Sequence, residues 1–138
     1  MSRENVDFVL AAYQWANRER RLGRAGLGRD GWHPDGEYVN SRSDPDHATY
    51  RGHDAIEGLF ESWFTAYPDL QVVPQEARAK GDRVFVWVRF TGHAAEGNLP
   101  LEMELAHVVT LEDGKVRRLE EYMDREEALE AVGLREQT

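Results

Sequence analysis

Apolar residues recur along residues 3–22 at steps of one, three and four, through Val6, Val9, Leu10, Tyr13 and Ala16. That spacing predicts a helix with one buried face. Ser2 is placed to cap it and Glu4 falls in its first turn. Gly23, Gly26, Gly28 and Gly31 then break the pattern, leaving room for no more than a short second helix around residues 22–27. Residues 37–41 read as a short strand and residues 42–51 as a loop throughout. A further helix is expected from Asp54, its cap, through Ile56, Leu59, Phe60, Trp63 and Phe64, stopping before Pro68.

Four β-type runs follow, at residues 70–79, 83–93, 102–111 and 116–123, separated by Lys80-Gly81-Asp82, Glu96-Gly97-Asn98 and Glu112-Asp113-Gly114-Lys115. Short turns imply an antiparallel meander, since parallel pairing needs long crossovers. Asp124 and Glu127 form a capping-box pattern for a last helix with Ala128, Leu129 and Val132 inward, ended by Gly133. The pattern gives an α+β fold, an antiparallel sheet preceded and followed by a helix. Alternation divides the second run into Phe85, Trp87, Arg89 and Thr91 on one face and Val84, Val86, Val88 and Phe90 on the other. Both faces are partly apolar, so both are expected to be covered. In the third run, Met103, Leu105, His107 and Val109 form the better interior face. Counting through the turns places Arg89 opposite His107, and Glu121 opposite His107 if the last turn is a three-residue loop; a two-residue loop puts Glu120 there.

Composition narrows the picture without changing it. The 138 residues suit one domain spanning 1–138, and 41% hydrophobic with 31% charged residues is the balance of a chain that folds. A net charge of −9 argues against nucleic acid or an anionic membrane as partner. Basic residues between Arg18 and Arg29 read as a solvated helix end that offsets its carbonyl dipole. The absence of cysteine, of an apolar leader and of any membrane-length apolar run suits a cytoplasmic location. His33, His47, His53 and His93 are scattered without ligand spacing, so no metal is expected. No phosphate loop or dinucleotide fingerprint is present, so no cofactor is expected either.

Four stretches resemble the SnoaL-like polyketide cyclase branch of the nuclear transport factor 2-like superfamily. They are His33-Pro34-Asp35-Gly36-Glu37-Tyr38-Val39, Tyr50-Arg51-Gly52-His53-Asp54-Ala55-Ile56, Asp113-Gly114-Lys115-Val116 and Glu121-Tyr122-Met123-Asp124-Arg125-Glu126-Glu127-Ala128-Leu129. The resemblance implies a conical fold, a curved antiparallel sheet packed against the N-terminal helix and enclosing a deep pocket, with a small apolar ligand and a homodimer formed through the convex face of the sheet. Function is not implied by the fold, which carries cyclases, ketosteroid isomerases, epoxide hydrolases, dehydratases and members with no known chemistry. Comparison with ketosteroid isomerases puts Asn40 where the base would be, Tyr13 at the oxyanion-binding tyrosine and His107 at the protonated aspartate. An amide cannot abstract a proton, which argues against that isomerisation. Limonene epoxide hydrolase relatives use an arginine and paired carboxylates, for which Arg89 and Glu121 are candidates without a second acid. Cyclases of the SnoaL type use one acid-base residue, which His107 or Glu121 could supply for an intramolecular aldol closure.

The expected catalytic set is therefore Tyr13, Arg89, His107 and Glu121, with Glu121 orienting His107 and Arg89 stabilising developing charge. Tyr38, Asn40, Trp63, Trp87 and Leu105 are expected to contact the ligand. Three functional readings stay open: a cofactor-independent enzyme, a binding module, and an interaction protein with an incidental cavity. Structural roles compete at each position. His107 could be a satisfied core histidine, Arg89 and Glu121 a buried pair, Asp124 a helix cap, and the tryptophans core.

Overall fold

The computed structural model describes residues 2–19 and 31–136. In chain order these form α1 (Ser2–Glu19), β1 (Trp32–Val39), β2 (Thr49–Arg51), α2 (His53–Ala66), β3 (Gln71–Lys80), β4 (Arg83–His93), β5 (Pro100–Glu112), β6 (Lys115–Tyr122) and α3 (Arg125–Val132). The expected short helix at 22–27, and all of the basic run beyond Arg18, fall outside the described residues. Among the described residues, no helix is long and apolar enough to cross a membrane.

The six strands form one curved sheet in the order β2-β1-β6-β5-β4-β3. The meander from β3 to β6 is antiparallel, as the short turns require, but β1 joins β6 in parallel, so the sheet is mixed. The connection from β1 to β6 runs through α2 and four strands, which is ample chain for parallel pairing. Residues 49–51, expected to be loop, form the edge strand β2 against Glu37, Tyr38 and Val39. Glycine is required where β1 bulges against β6: a Cβ at Gly36 would lie 2.9 Å from the His33 carbonyl and 3.1 Å from that of Val116. Asp54 is not the cap of α2; Gly52 holds that place without a side-chain bond, and Asp54 sits in the first turn. Asp124 does cap α3, accepting from the backbone N–H of Glu126 and Glu127, and Gly133 closes the helix in the left-handed conformation.

The register of β4 against β5 corrects the expected division of faces. A four-residue loop, 95–98, lies between Ala94 and Leu99, whose backbones are hydrogen-bonded. From there Val86 pairs with His107, Val88 with Leu105 and Arg89 with Glu104. The expected register was three residues away, and an odd slip turns every side chain to the other face. Val84, Val86, Val88 and Phe90 therefore face inward with His107, while Trp87 and Arg89 face outward.

Two apolar layers result. The main core lies between the inner face of the sheet and the helices α1 and α2, and contains Val84, Val86 and Val88 at zero exposure. The smaller one lies outside, where α3 packs Ala128, Leu129 and Val132 over Phe85, Ala106 and Val108. Arg125 fastens that helix, stacking on the rings of Phe85 and Trp87 and pairing with Glu76 and Glu136. The chain's own last helix thus covers much of the outer apolar surface that the sequence reading assigned to a partner.

Candidate functional site

Between α1, α2 and the inner face lies a cavity of about 70 Å³, measured as the space open to the centre of a water molecule. That is room for on the order of five waters. Its walls are mostly apolar, and the polar exceptions are Tyr13, Asn17, Tyr38, His107 and the indole N–H groups of Trp32 and Trp63. Helical spacing explains two of them. Tyr13 and Asn17 are four residues apart and share the inward face of α1. Asn17 holds the helix on the sheet, donating to the carbonyl of Val72 and accepting from its N–H.

His107 is the polar centre of the site. The Tyr13 hydroxyl lies 2.5 Å from Nδ1, and the two rings are stacked with centroids 5.8 Å apart. Tyr38 and Phe90 meet the imidazole edge-on. Only 3% of the residue is exposed, and Nε2 has no hydrogen-bond partner among the described residues. Burial pulls the imidazole pKa down to about 3, so at neutral pH the ring is uncharged. With Nδ1 accepting from Tyr13, the proton sits on Nε2 as an unpartnered donor; in the other tautomer, the free hydrogen is the tyrosine's. Burial, with the charge of Glu121, also pushes the Tyr13 hydroxyl pKa up, so this pair is a neutral one.

Glu121 stands opposite His107, but not for the expected reason. The turn contains only Asp113 and Gly114, both at positive φ, as a tight two-residue hairpin turn demands. One extra residue on β6, Arg117, then shifts the pairing by one, so turn plus bulge reproduce the register of a three-residue loop. The expected contact between Glu121 and His107 is corrected as well. Tyr38 donates its hydroxyl to one carboxylate oxygen at 2.5 Å, and the Ser41 N–H donates to the other at 3.2 Å. Burial raises the Glu121 pKa against the opposing pull of these two bonds, and the Asp44 charge adds to the rise. Tyr13, not Glu121, orients the histidine.

Of the other expected site residues, Tyr38 and Trp63 bound the cavity together with Tyr13 and His107. Leu105 is on the inner face, buried opposite Val88, but does not bound the cavity. Asn40 is occupied in its own loop, donating to the Asp46 carbonyl at 3.2 Å and accepting from the Ala48 N–H at 2.7 Å. Arg89 forms an ion pair with Glu102 on the outer face, and Trp87 donates its indole N–H to Glu104 at 3.1 Å. The pairing of Arg89 with Glu121 therefore does not exist, and neither Arg89 nor Trp87 reaches the cavity. Asn17 and the polar edge of Trp32 are additions to the site. Helical spacing from Tyr13 signals the first; no sequence pattern distinguishes Trp32 from any other core tryptophan.

Outside the cavity, His33, Glu112 and Asp113 bring possible ligand atoms within 4.8 Å of one another. Glu112 is paired there with Arg117, and Nδ1 of His33 accepts from the Asp35 N–H, so two of the three already have partners.

Comparison with known proteins agrees with this architecture. A SnoaL-like domain matches residues 23–119. A proposed SnoaL-like polyketide cyclase from Jannaschia sp. CCS1 is 20% identical, with a TM-score of 0.72 over 95% of this chain and 92% of that one. A nuclear transport factor 2-like protein from Burkholderia xenovorans LB400 is 26% identical, with a TM-score of 0.69 over 96% and 97% of the two chains. TerC, co-crystallised with polyporic acid, is 25% identical, with a TM-score of 0.69 over 93% and 96%. No curated protein matches. With most of its length covered by that domain and the same conical architecture in its structural neighbours, the chain belongs to the SnoaL-like domain family.

Proposed function

We propose that the cavity takes up a neutral, mostly apolar small molecule bearing a carbonyl or hydroxyl oxygen and rearranges it by acid-base chemistry without a cofactor. The observation that carries this reading is the buried Nε2 of His107, unpartnered at an apolar cavity while Tyr13 holds the other nitrogen. A substrate oxygen completes that pair. Burial makes His107 a poor base, so its role is donation to the oxygen where negative charge develops. Glu121, with its pKa raised, is the proton acceptor; it does not bound the cavity and is reached through the hydroxyl of Tyr38, which does and which is hydrogen-bonded to it. The carbon acid gives its proton to Glu121 and the resulting enolate attacks a second carbonyl carbon of the same molecule. The new alkoxide then recovers the proton from Glu121, so the balance closes on an intramolecular aldol.

A second reading, binding without turnover, is favoured by both Glu121 oxygens being hydrogen-bonded already and by the engagement of the Asn40 amide. TerC with polyporic acid supports the ligand in either reading. The epoxide hydrolase-like alternative loses its arginine, because Arg89 faces away from the cavity. Homodimer formation is proposed through the outer strip that α3 leaves uncovered, where Val73 is 39% exposed beside the Arg89 row.

Mass spectrometry of the compound that copurifies with the chain tests the function. Tyr13→Phe and His107→Gln are expected to weaken its binding about tenfold or more, and Glu121→Gln to keep binding but abolish conversion. Recovery of the ligand chemically unchanged from the wild-type chain selects the second reading. Full affinity in both Tyr13→Phe and His107→Gln overturns the first and the second together.

A further inference from the structure

We propose that Trp32 is a second polar anchor in the cavity, donating its indole N–H to the ligand, and that the ligand therefore carries two acceptor oxygens on one compact apolar skeleton. This deepens the small-molecule reading above and rests on it.

Trp32 opens β1, bounds the cavity and is 3% exposed. Its Nε1 can only donate, and this buried donor has no acceptor among the described residues. The rings packed on it are Tyr38, at 6.5 Å between centroids, and Phe60, at 6.3 Å. Neither places an oxygen on Nε1. Buried N–H groups are nearly always paired in folded chains, so an orphan beside an open cavity points to an acceptor that comes with the ligand. The indole of Trp87 makes the contrast, since it reaches Glu104 on the outer face.

Of the other polar groups of the wall, the indole of Trp63 belongs to a half-buried residue and the rest are engaged. Tyr13 is on His107, Tyr38 on Glu121, and Asn17 on both backbone groups of Val72. Two buried nitrogens are left without a partner among the described residues, Nε1 of Trp32 and Nε2 of His107. Their rings flank Tyr38, with centroids 6.5 Å and 6.2 Å from it. Neither nitrogen is itself open to the cavity, so a ligand lying across Tyr38 meets both only where the side chains of the wall give way around it. Among the described residues bounding the cavity there is no lysine or arginine, and His107 is neutral, so nothing offsets the burial of an anion. A neutral hydroxyketone or dione fits this arrangement, whereas a carboxylate does not.

Calorimetric titration with three probes on one fused-ring skeleton tests the inference: naphthalene with no acceptor, α-tetralone with one and 1,4-naphthoquinone with two. The wild-type chain is expected to prefer the quinone to the tetralone by roughly fivefold or more, and Trp32→Phe to bring the ratio of its own two affinities close to one. Should the substitution fail to fold, the wild-type chain labelled with ¹⁵N-tryptophan gives the same answer. One of its four indole N–H signals is expected to move downfield with the quinone. No preference for the quinone in the wild-type chain, a preference that survives Trp32→Phe, or four unmoved indole signals overturns the second anchor and leaves the first standing. Failure of all three probes to bind overturns the small-molecule reading along with it.

Discussion

His107 and Glu121 pull the pH dependence of stability in opposite directions. An unfolded histidine takes up its proton near pH 6.5, whereas the folded ring resists protonation down to about 3. The stability gained by burying it neutral is complete above pH 6.5 and is lost as pH falls towards 3. Between pH 7 and 5 this amounts to on the order of 2 kcal/mol. Urea denaturation of His107→Gln at both values is expected to show a much smaller loss than the wild-type chain. The folded pKa of Glu121 is raised, so its contribution is complete below the unfolded value near 4.3 and is lost as pH rises through the folded one. Glu121→Gln is therefore expected to gain on the wild-type chain between pH 5 and 8 in the same assay. Tyr13→Phe leaves Nδ1 of a buried histidine unpartnered and is expected to cost about 1–3 kcal/mol at pH 7.

At the scale of elements, turns decide what alternation alone leaves open. The strands of the meander, the inward face of α1 and the cap of α3 were all legible from periodicity and turn residues, because each depends on local chemistry. Which face of β4 points inward was not legible, since it depends on how many residues of the 94–99 segment join the loop. Glu121 was found opposite His107 by a count that assumed a longer turn, and the Arg117 bulge made up the difference. That bulge leaves no signature in the sequence. The corrected register predicts that Arg89→Ala, on the outer face, changes ligand affinity less than about twofold, where the expected register had placed it in the site. Asp124→Ala removes two accepted backbone bonds at the start of α3 and is expected to cost about 1 kcal/mol in the same denaturation assay.

For the whole molecule, the sheet carries two different coverings, α1 and α2 within and α3 without. The proposed dimer must use what remains of the outer face, near Val73, Trp87 and the Arg89–Glu102 pair. Sedimentation of Val73→Glu is expected to show monomers at concentrations where the wild-type chain is dimeric, and a single species in both would remove that interface. The hydrogen bond from Tyr13 to His107 joins residues 94 positions apart and, with the bonds of Asn17 to Val72, links the first helix to the cavity walls. A ligand seated on His107 would therefore be felt as a brake on the breathing of α1. Amide hydrogens along that helix should exchange more slowly in the occupied protein, and the rate at which the helix lifts would set the residence time of whatever it covers.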